Sequence, residues 1–321
     1  MAKSKINEKL SKLFALGDKL DERLVLEYES ELAKAYQTAL NQIRLKIGKM
    51  FERYGNDVSY QDMVTYKRLV SLESEIVKNL KKLGVSAKRT TKGAIQDAYQ
   101  QSFQYSGYAL ESQIQQKLNF SLLSQNQLDA SLYNQMNNIK WSDSVNEAVN
   151  SLVKQIRSEI TAGLIEGKGY SGMTSAIKDR IDKSFGASRR IIWTETHRVQ
   201  TAGRLLGIKK AQAQVEDVDI QVKWLATLDQ KTRRNHGAMD GKAQDENGEF
   251  TFTTMTGSVI KVQGPGLTGT TDDIHCRCTI TTEFDGITPQ FRKDNESKEV
   301  IPYKTYDEWY KAKYGTQPPI S

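Results

Sequence analysis

The first 264 residues of this 321-residue chain contain no proline. Proline breaks helix interiors because it lacks the amide donor and clashes with the preceding turn, so its absence over such a length predicts a mostly helical body. All five prolines (Pro265, Pro289, Pro302, Pro318 and Pro319) follow Gly264, and the charge balance changes in the same region. Up to Gln214 there are 33 basic and 22 acidic side chains, and from Val215 onward 13 and 17, for a formal net charge of +7. The length suggests about two domains.

Apolar periodicity supplies the helices. Leu20, Leu24, Tyr28, Leu32, Ala35, Ala39, Ile43, Ile47 and Met50 form one stripe over Asp18–Arg53, ended by the turn chemistry of Tyr54-Gly55-Asn56-Asp57. The spacing drifts from a strict heptad, which predicts a bundle helix rather than a coiled coil. A second helix is expected over Tyr60–Leu83, with Gly84 as its C-terminal cap. The segment Ser86–Asn138 is rich in Gln and Asn but carries Ile95, Tyr99, Phe103, Leu110, Ile114 and Leu118 at helical steps. Such periodicity predicts solvated bundle faces rather than a low-complexity tract. Ser142 is the expected cap of a helix bearing Val145, Val149, Leu152, Ile156 and Ile160, and two more helices are expected over Ser171–Ser184 and Ala187–Ala213. The Gly167-Lys168-Gly169 loop between them lacks the spacing of a phosphate-binding loop.

From Val218 the period changes to two. Strands are expected over Val218–Trp224 and Arg277–Phe284. A hairpin is expected from Glu249–Phe252 and Ser258–Val262 with Gly257 in its turn, and a last helix capped by Thr305. The fold class is therefore α+β. A helical bundle region covers 1–140 and a helical lead 141–214. A small antiparallel α+β module covers 215–286, followed by a tail, 287–321, with one short helix. No run of 18 apolar residues is present, so no membrane span is expected. The opening MAKSKINEKLSK lacks the apolar core of a secretory signal. Two cysteines one residue apart point to a reducing compartment.

Three clusters carry chemistry-bearing side chains. On a helix, Arg190, Thr194, His197 and Arg198 share a face with Glu195 at its edge, either a solvated face or a contact with another layer. In the second, Trp224 closes a strand, Asp229 is placed to cap a short helix holding Arg233 and His236, and Asp240-Gly241 makes the turn that follows. In the third, His275-Cys276-Arg277-Cys278, alternation along a strand sends both thiols one way and Arg277 the other. A disulfide between positions i and i+2 would be strained. Cys276 and Cys278 are then either packed thiols hydrogen-bonded to His236 or, with His236 or His275 and an acid such as Asp240, ligands of a tetrahedral zinc ion. A cysteine nucleophile with His236 as base lacks any recognisable oxyanion loop, so no catalysis is expected.

In order, Trp224, Ala226, Thr227, Asp229, Thr232, Arg233, His236, Met239, Asp240 and Gly241, then Pro265-Gly266, then Cys276-Arg277-Cys278-Thr279, preceded by Arg190, Thr194 and Glu195, resemble the phage head morphogenesis family. These are the Mu F-like minor head, or minor capsid, proteins of tailed bacteriophages. The resemblance covers roughly 150–285 and departs at His275, where such proteins usually have Asn. It implies a virion component of the head interior, made in the host bacterial cytoplasm. Such a protein is built into the procapsid through contacts with the portal protein or with scaffolding or major capsid protein, and assists head assembly, DNA packaging or DNA delivery. Two other readings stand beside it. One is a metal-dependent nucleic-acid hydrolase or effector. The other is a non-specific binder of double-stranded DNA, to which the basic helical part is suited.

Overall fold

The computed structural model describes residues 2–65, 67–114, 117–133, 140–215, 220–284 and 290–318. Its order is α1 (Ala2–Tyr54), α2 (Tyr60–Thr65), α3 (Arg68–Ile114), α4 (Gln125–Ser131), α5 (Trp141–Ile165) and α6 (Tyr170–Gln212). Then follow β1 (Ile220–Leu225), α7 (Arg234–Gly237), β2 (Phe250–Thr253), β3 (Val259–Val262), β4 (Thr279–Phe284), β5 (Phe291–Lys293), β6 (Val300–Pro302) and α8 (Tyr306–Tyr314). A long-helix body followed by small antiparallel sheets is the α+β class that the change of period implied.

The helices are longer than their local signals suggested. The first begins at Ala2, well before Asp18. Gly84 does not end a helix: α3 runs through it, and a Cβ built there would meet Val149 Cγ1 at 3.4 Å. An internal glycine costs about 1 kcal/mol against alanine. Burying one side chain such as Leu80 or Leu83 contributes roughly 1.5–3 kcal/mol, so packing outweighs the glycine. The break comes instead before Arg68, where Lys67 takes a left-handed conformation (φ 53°). Ser142 lies in the first turn of α5 rather than at its cap, which is Lys140, without a side-chain bond. The two helices expected around Gly186 are the single helix α6. Between α3 and α4, residues 117–124 are neither helix nor strand, and Asn134–Asn138 of the Gln/Asn-rich stretch lie outside the described residues.

The chain divides into two compact units. One comprises Leu26–Gly93 and Ile139–Ile192. Its helices bury the expected stripes, among them Leu32, Ile43 and Ile47 of α1, Ile76 and Leu80 of α3, and Val145, Leu152, Ile156 and Ile160 of α5. Tyr36 fixes the lateral register there, its hydroxyl 2.7 Å from Ser188 Oγ.

The other unit comprises Met1–Val25, Ala94–Asn138 and Trp193–Ser321. Its core gathers Phe14 of α1, Leu110 of α3 and Ile208 of α6 with Trp224, Phe250, Phe252, Met239, Ile280, Tyr306 and Trp309. Strands β1 and β4 pair antiparallel with Trp224 opposite Ile280. The segment Gly241–Gln244 bonds to the backbone of β1 at Val222 and Trp224. The hairpin β2–β3 forms as its alternation predicts, Phe250 opposite Val262, with Gly257 at φ 84°. β1 is described from Ile220; Val218 and Asp219 of the expected strand lie outside the described residues. A second hairpin, β5–β6, precedes α8 in the segment read as a tail. Thr305 caps α8 in a capping box with Glu308.

Candidate functional site

The residues with recognisable chemistry converge within the second unit. Cys276 and Cys278 lie just before β4, not on it, because its ladder begins at Thr279. Their side chains still alternate as an extended backbone requires. Both thiols reach one ring nitrogen of His236: Nδ1 is 3.5 Å from Cys276 Sγ and 3.6 Å from Cys278 Sγ. All three side chains are buried. Burial opposes ionisation of both thiols. Hydrogen bonds from Cys276 and His236 nevertheless hold Cys278 well below the usual thiol range, while Cys276 is pushed up.

Aromatic packing sets the His236 ring. Trp224 stacks on Phe252 at 5.5 Å and presents its edge to His236, and Phe252 meets the imidazole edge-on at 5.3 Å. The other nitrogen, Nε2, lies 3.6 Å from Asp272 Oδ1, beyond hydrogen-bond length. Burial works against ionisation of Asp272. Donors from Asn235, the Met255 amide and Thr270 prevail and hold its carboxyl below the ordinary range.

Arginines tie down the backbone around this knot. Arg233 donates to the carbonyls of Asp272 (2.9 Å) and Ile274 (2.5 Å), fixing the turn that leads to Cys276. Asp229 does not cap α7, whose N-cap is Arg233. Its carboxylate receives the Lys231 amide and the Thr232 hydroxyl and pairs with Arg277, which points away from the thiols. Gly241 takes φ 76°, which a tight turn after Asp240 requires.

Two expected members stand apart. His275 is exposed and left-handed at φ 54°, and its amide donates to Thr194 Oγ1. Asparagine tolerates that conformation better than most residues. Asp240 is occupied elsewhere: its carboxylate receives the amides of Ala226 and Tyr306 (2.7 Å each) and two donors of Arg292.

On α6, Thr194, Glu195 and Arg198 are buried rather than solvated, and Arg190 is exposed. Arg198 pairs with Glu195 at 2.9 Å and donates to the Ser131 carbonyl. His197 contributes a buried Nε2 with no hydrogen-bond partner among the described residues, and burial holds its pKa down to about 4.

Four participants escaped sequence reading. Arg204 bridges Asp18 (2.6 Å), Asp21 (2.7 Å) and Thr279 Oγ1 (2.5 Å). Burial disfavours its charge, yet the two carboxylates keep its pKa above the ordinary arginine value. Arg292 is fully buried. Only the excess of arginine over lysine in the chemistry-bearing segments hinted at such pairing, and nothing local distinguishes Arg204 or Arg292. A cavity of about 120 Å³ opens beside the knot, lined by Thr227, Cys276, Cys278, His197, Arg204 and Asp21 among others.

Within the second unit, buried arginine–carboxylate pairs surround the histidine–cysteine knot. Residues 154–281 match the family model described as Phage Mu protein F like protein. Over these residues the chain is similar to the phage head morphogenesis family, the Mu F-like minor head proteins. It is 29% identical over 303 residues to minor head protein GP7 of Bacillus phage SPP1, covering 92% of this chain and 96% of that protein. It is also 30% identical over 285 residues, 88% of its length, to a protein of Enterococcus faecalis named NAD(+)--arginine ADP-ribosyltransferase EFV. The chain spans 57% of that relative's length. No solved structure matches the chain. No described helix is long and apolar enough to cross a membrane.

Proposed function

We propose that the protein is a minor component of a tailed-phage head, incorporated through contact with portal or scaffolding protein and assisting assembly, DNA packaging or delivery. The carrying observation is the end-to-end likeness to a minor head protein, 92% of one chain against 96% of the other. Likeness over whole lengths supports a shared role for the whole chain better than a shared domain does. The basic surplus before Val215 supports contact with packaged DNA. The test is co-sedimentation with a purified tailed-phage portal oligomer, together with mass spectrometry of purified particles. Absence from both the portal fraction and the particles refutes the role.

The enterococcal relative's name favours a second reading, an ADP-ribosyl transfer activity. The segment it shares with this chain is largely the segment that this chain shares with the phage head protein. We place that transfer chemistry in the part of the relative that this chain does not span. Incubation with NAD+ and an arginine-bearing acceptor protein is expected to leave the acceptor unmodified, and modification would overturn this assignment.

A further inference from the structure

We propose that His236, Cys276 and Cys278 hold a zinc ion, with Nδ1 and the two Sγ atoms as three ligands of a tetrahedral site. With Zn–S of about 2.3 Å and Zn–N of about 2.0–2.1 Å, the N···S edge of such a tetrahedron is about 3.6 Å. The two edges here are 3.5 and 3.6 Å, and all three ligand atoms lie within 4.8 Å of one another. Hydrogen bonding alone accounts less well for this convergence. Nδ1 carries one lone pair or one proton and so bonds one thiol at a time, yet both thiols are aimed at it. A cation satisfies all three atoms together, and two thiolates neutralise its charge within a buried, aromatic-walled site.

The surroundings fit the same ion. A ligating imidazole ordinarily turns its second nitrogen toward a carboxylate, which fixes the tautomer. His236 turns Nε2 toward Asp272, a carboxylate held in place by Asn235, Met255 and Thr270. The fourth position faces the cavity that Cys276 and Cys278 line. His275 and Asp240 do not fill it, since one is exposed and the other is taken by Arg292, Ala226 and Tyr306. In the proposed site it is left to solvent, for which the buried Nε2 of His197, lining the same cavity, is a polar neighbour.

The full chain, purified without chelator, is analysed for metal by mass spectrometry and then exchanged into cobalt(II). About one zinc per chain is expected, with a thiolate-to-cobalt charge-transfer band and the intense visible bands of tetrahedral cobalt. Cys276→Ser and Cys278→Ser are each expected to lose the metal, and Asp272→Asn to weaken binding by about 10–100-fold. His275→Ala is expected to keep it. Substoichiometric zinc without a thiolate–cobalt band overturns the site. So does full zinc retention in both serine variants with helical circular dichroism intact. If the serine variants do not fold, the cobalt spectrum of the unaltered chain decides: a thiolate band supports the site and its absence refutes it.

Discussion

Replacing Asp240 by Asn tests whether this carboxylate is a structural counter-charge rather than a ligand. Its side chain is 3% exposed and that of its partner Arg292 is 1%. Oδ1 receives the Ala226 amide and one Arg292 nitrogen, and Oδ2 the Tyr306 amide and the other. The isosteric amide keeps one acceptor and places an NH2 group against two donors, while the guanidinium loses its counter-charge. Leaving a buried charge unpaired costs about 3–5 kcal/mol. With an m-value of about 2 kcal/mol/M, the urea midpoint is expected to fall by about 2 M. Tryptophan fluorescence reports it, because Trp224 and Trp309 lie in the same core. The double variant Asp240→Asn, Arg292→Met is expected to cost less than the sum of the single changes. A midpoint shift below about 0.5 M, or loss of bound zinc with the fold retained, refutes the assignment.

Further outcomes follow from single positions. A Cβ at Gly203 would lie 2.6 Å from the Tyr99 carbonyl oxygen, a backbone atom that cannot rotate away, whereas nothing lies within 4 Å of one at Gly186. Thermal denaturation is expected to show Gly203→Ala destabilised by about 1–3 kcal/mol and Gly186→Ala stabilised by about 0.5–1 kcal/mol; the same sign in both refutes the packing argument. Unfolded His197 titrates near 6.5 and folded His197 at about 4, so between these values the unfolded chain binds more protons. Stability must then fall as pH drops through that window, by about 2–3 kcal/mol at its lower end. Urea titrations at several pH values should show this slope flattened in His197→Gln. At His275, Asn is expected to be neutral and Val to cost about 1–3 kcal/mol, because a β-branched residue resists φ 54°; equal midpoints for the two variants contradict a backbone origin.

What could be read from the residues was whatever repeats or clusters locally. The apolar stripes of α1 and α5, the hairpin around Gly257 and the Thr305 cap each follow from signals within a few residues. Helix ends were less legible, since Gly84 and Gly186 look like stops but lie where neighbouring packing carries the helix onward. The site divides in the same way. Alternation was enough to send Cys276 and Cys278 together and Arg277 apart. It gave no means of choosing between His236, His275 and Asp240 as companions, because the choice depends on how distant segments dock. Nor did a helical wheel show that Glu195 and Arg198 are buried, as that depends on what covers α6.

The proline-rich end shows most plainly that chain order and packing order differ. Residues 287–321 read as a tail, yet β5 supplies Arg292, Tyr306 gives its amide to Asp240, and Trp309 lies in the core with its indole nitrogen on Asp294. Asp240 precedes Arg292 by 52 positions and lies within the matched residues 154–281, so a buried carboxylate of that segment is neutralised from outside it. Removing everything after Gly286 should therefore act on the knot as well as on the end of the chain. The truncated protein is expected to keep the helical circular dichroism of α1, α3, α5 and α6, lose the near-ultraviolet signal of the aromatic core and bind an exposed-hydrophobe dye. An unchanged near-ultraviolet spectrum would mean that the module is complete without its last segment. It would also mean that the Asp240–Arg292 pair contributes nothing to holding it.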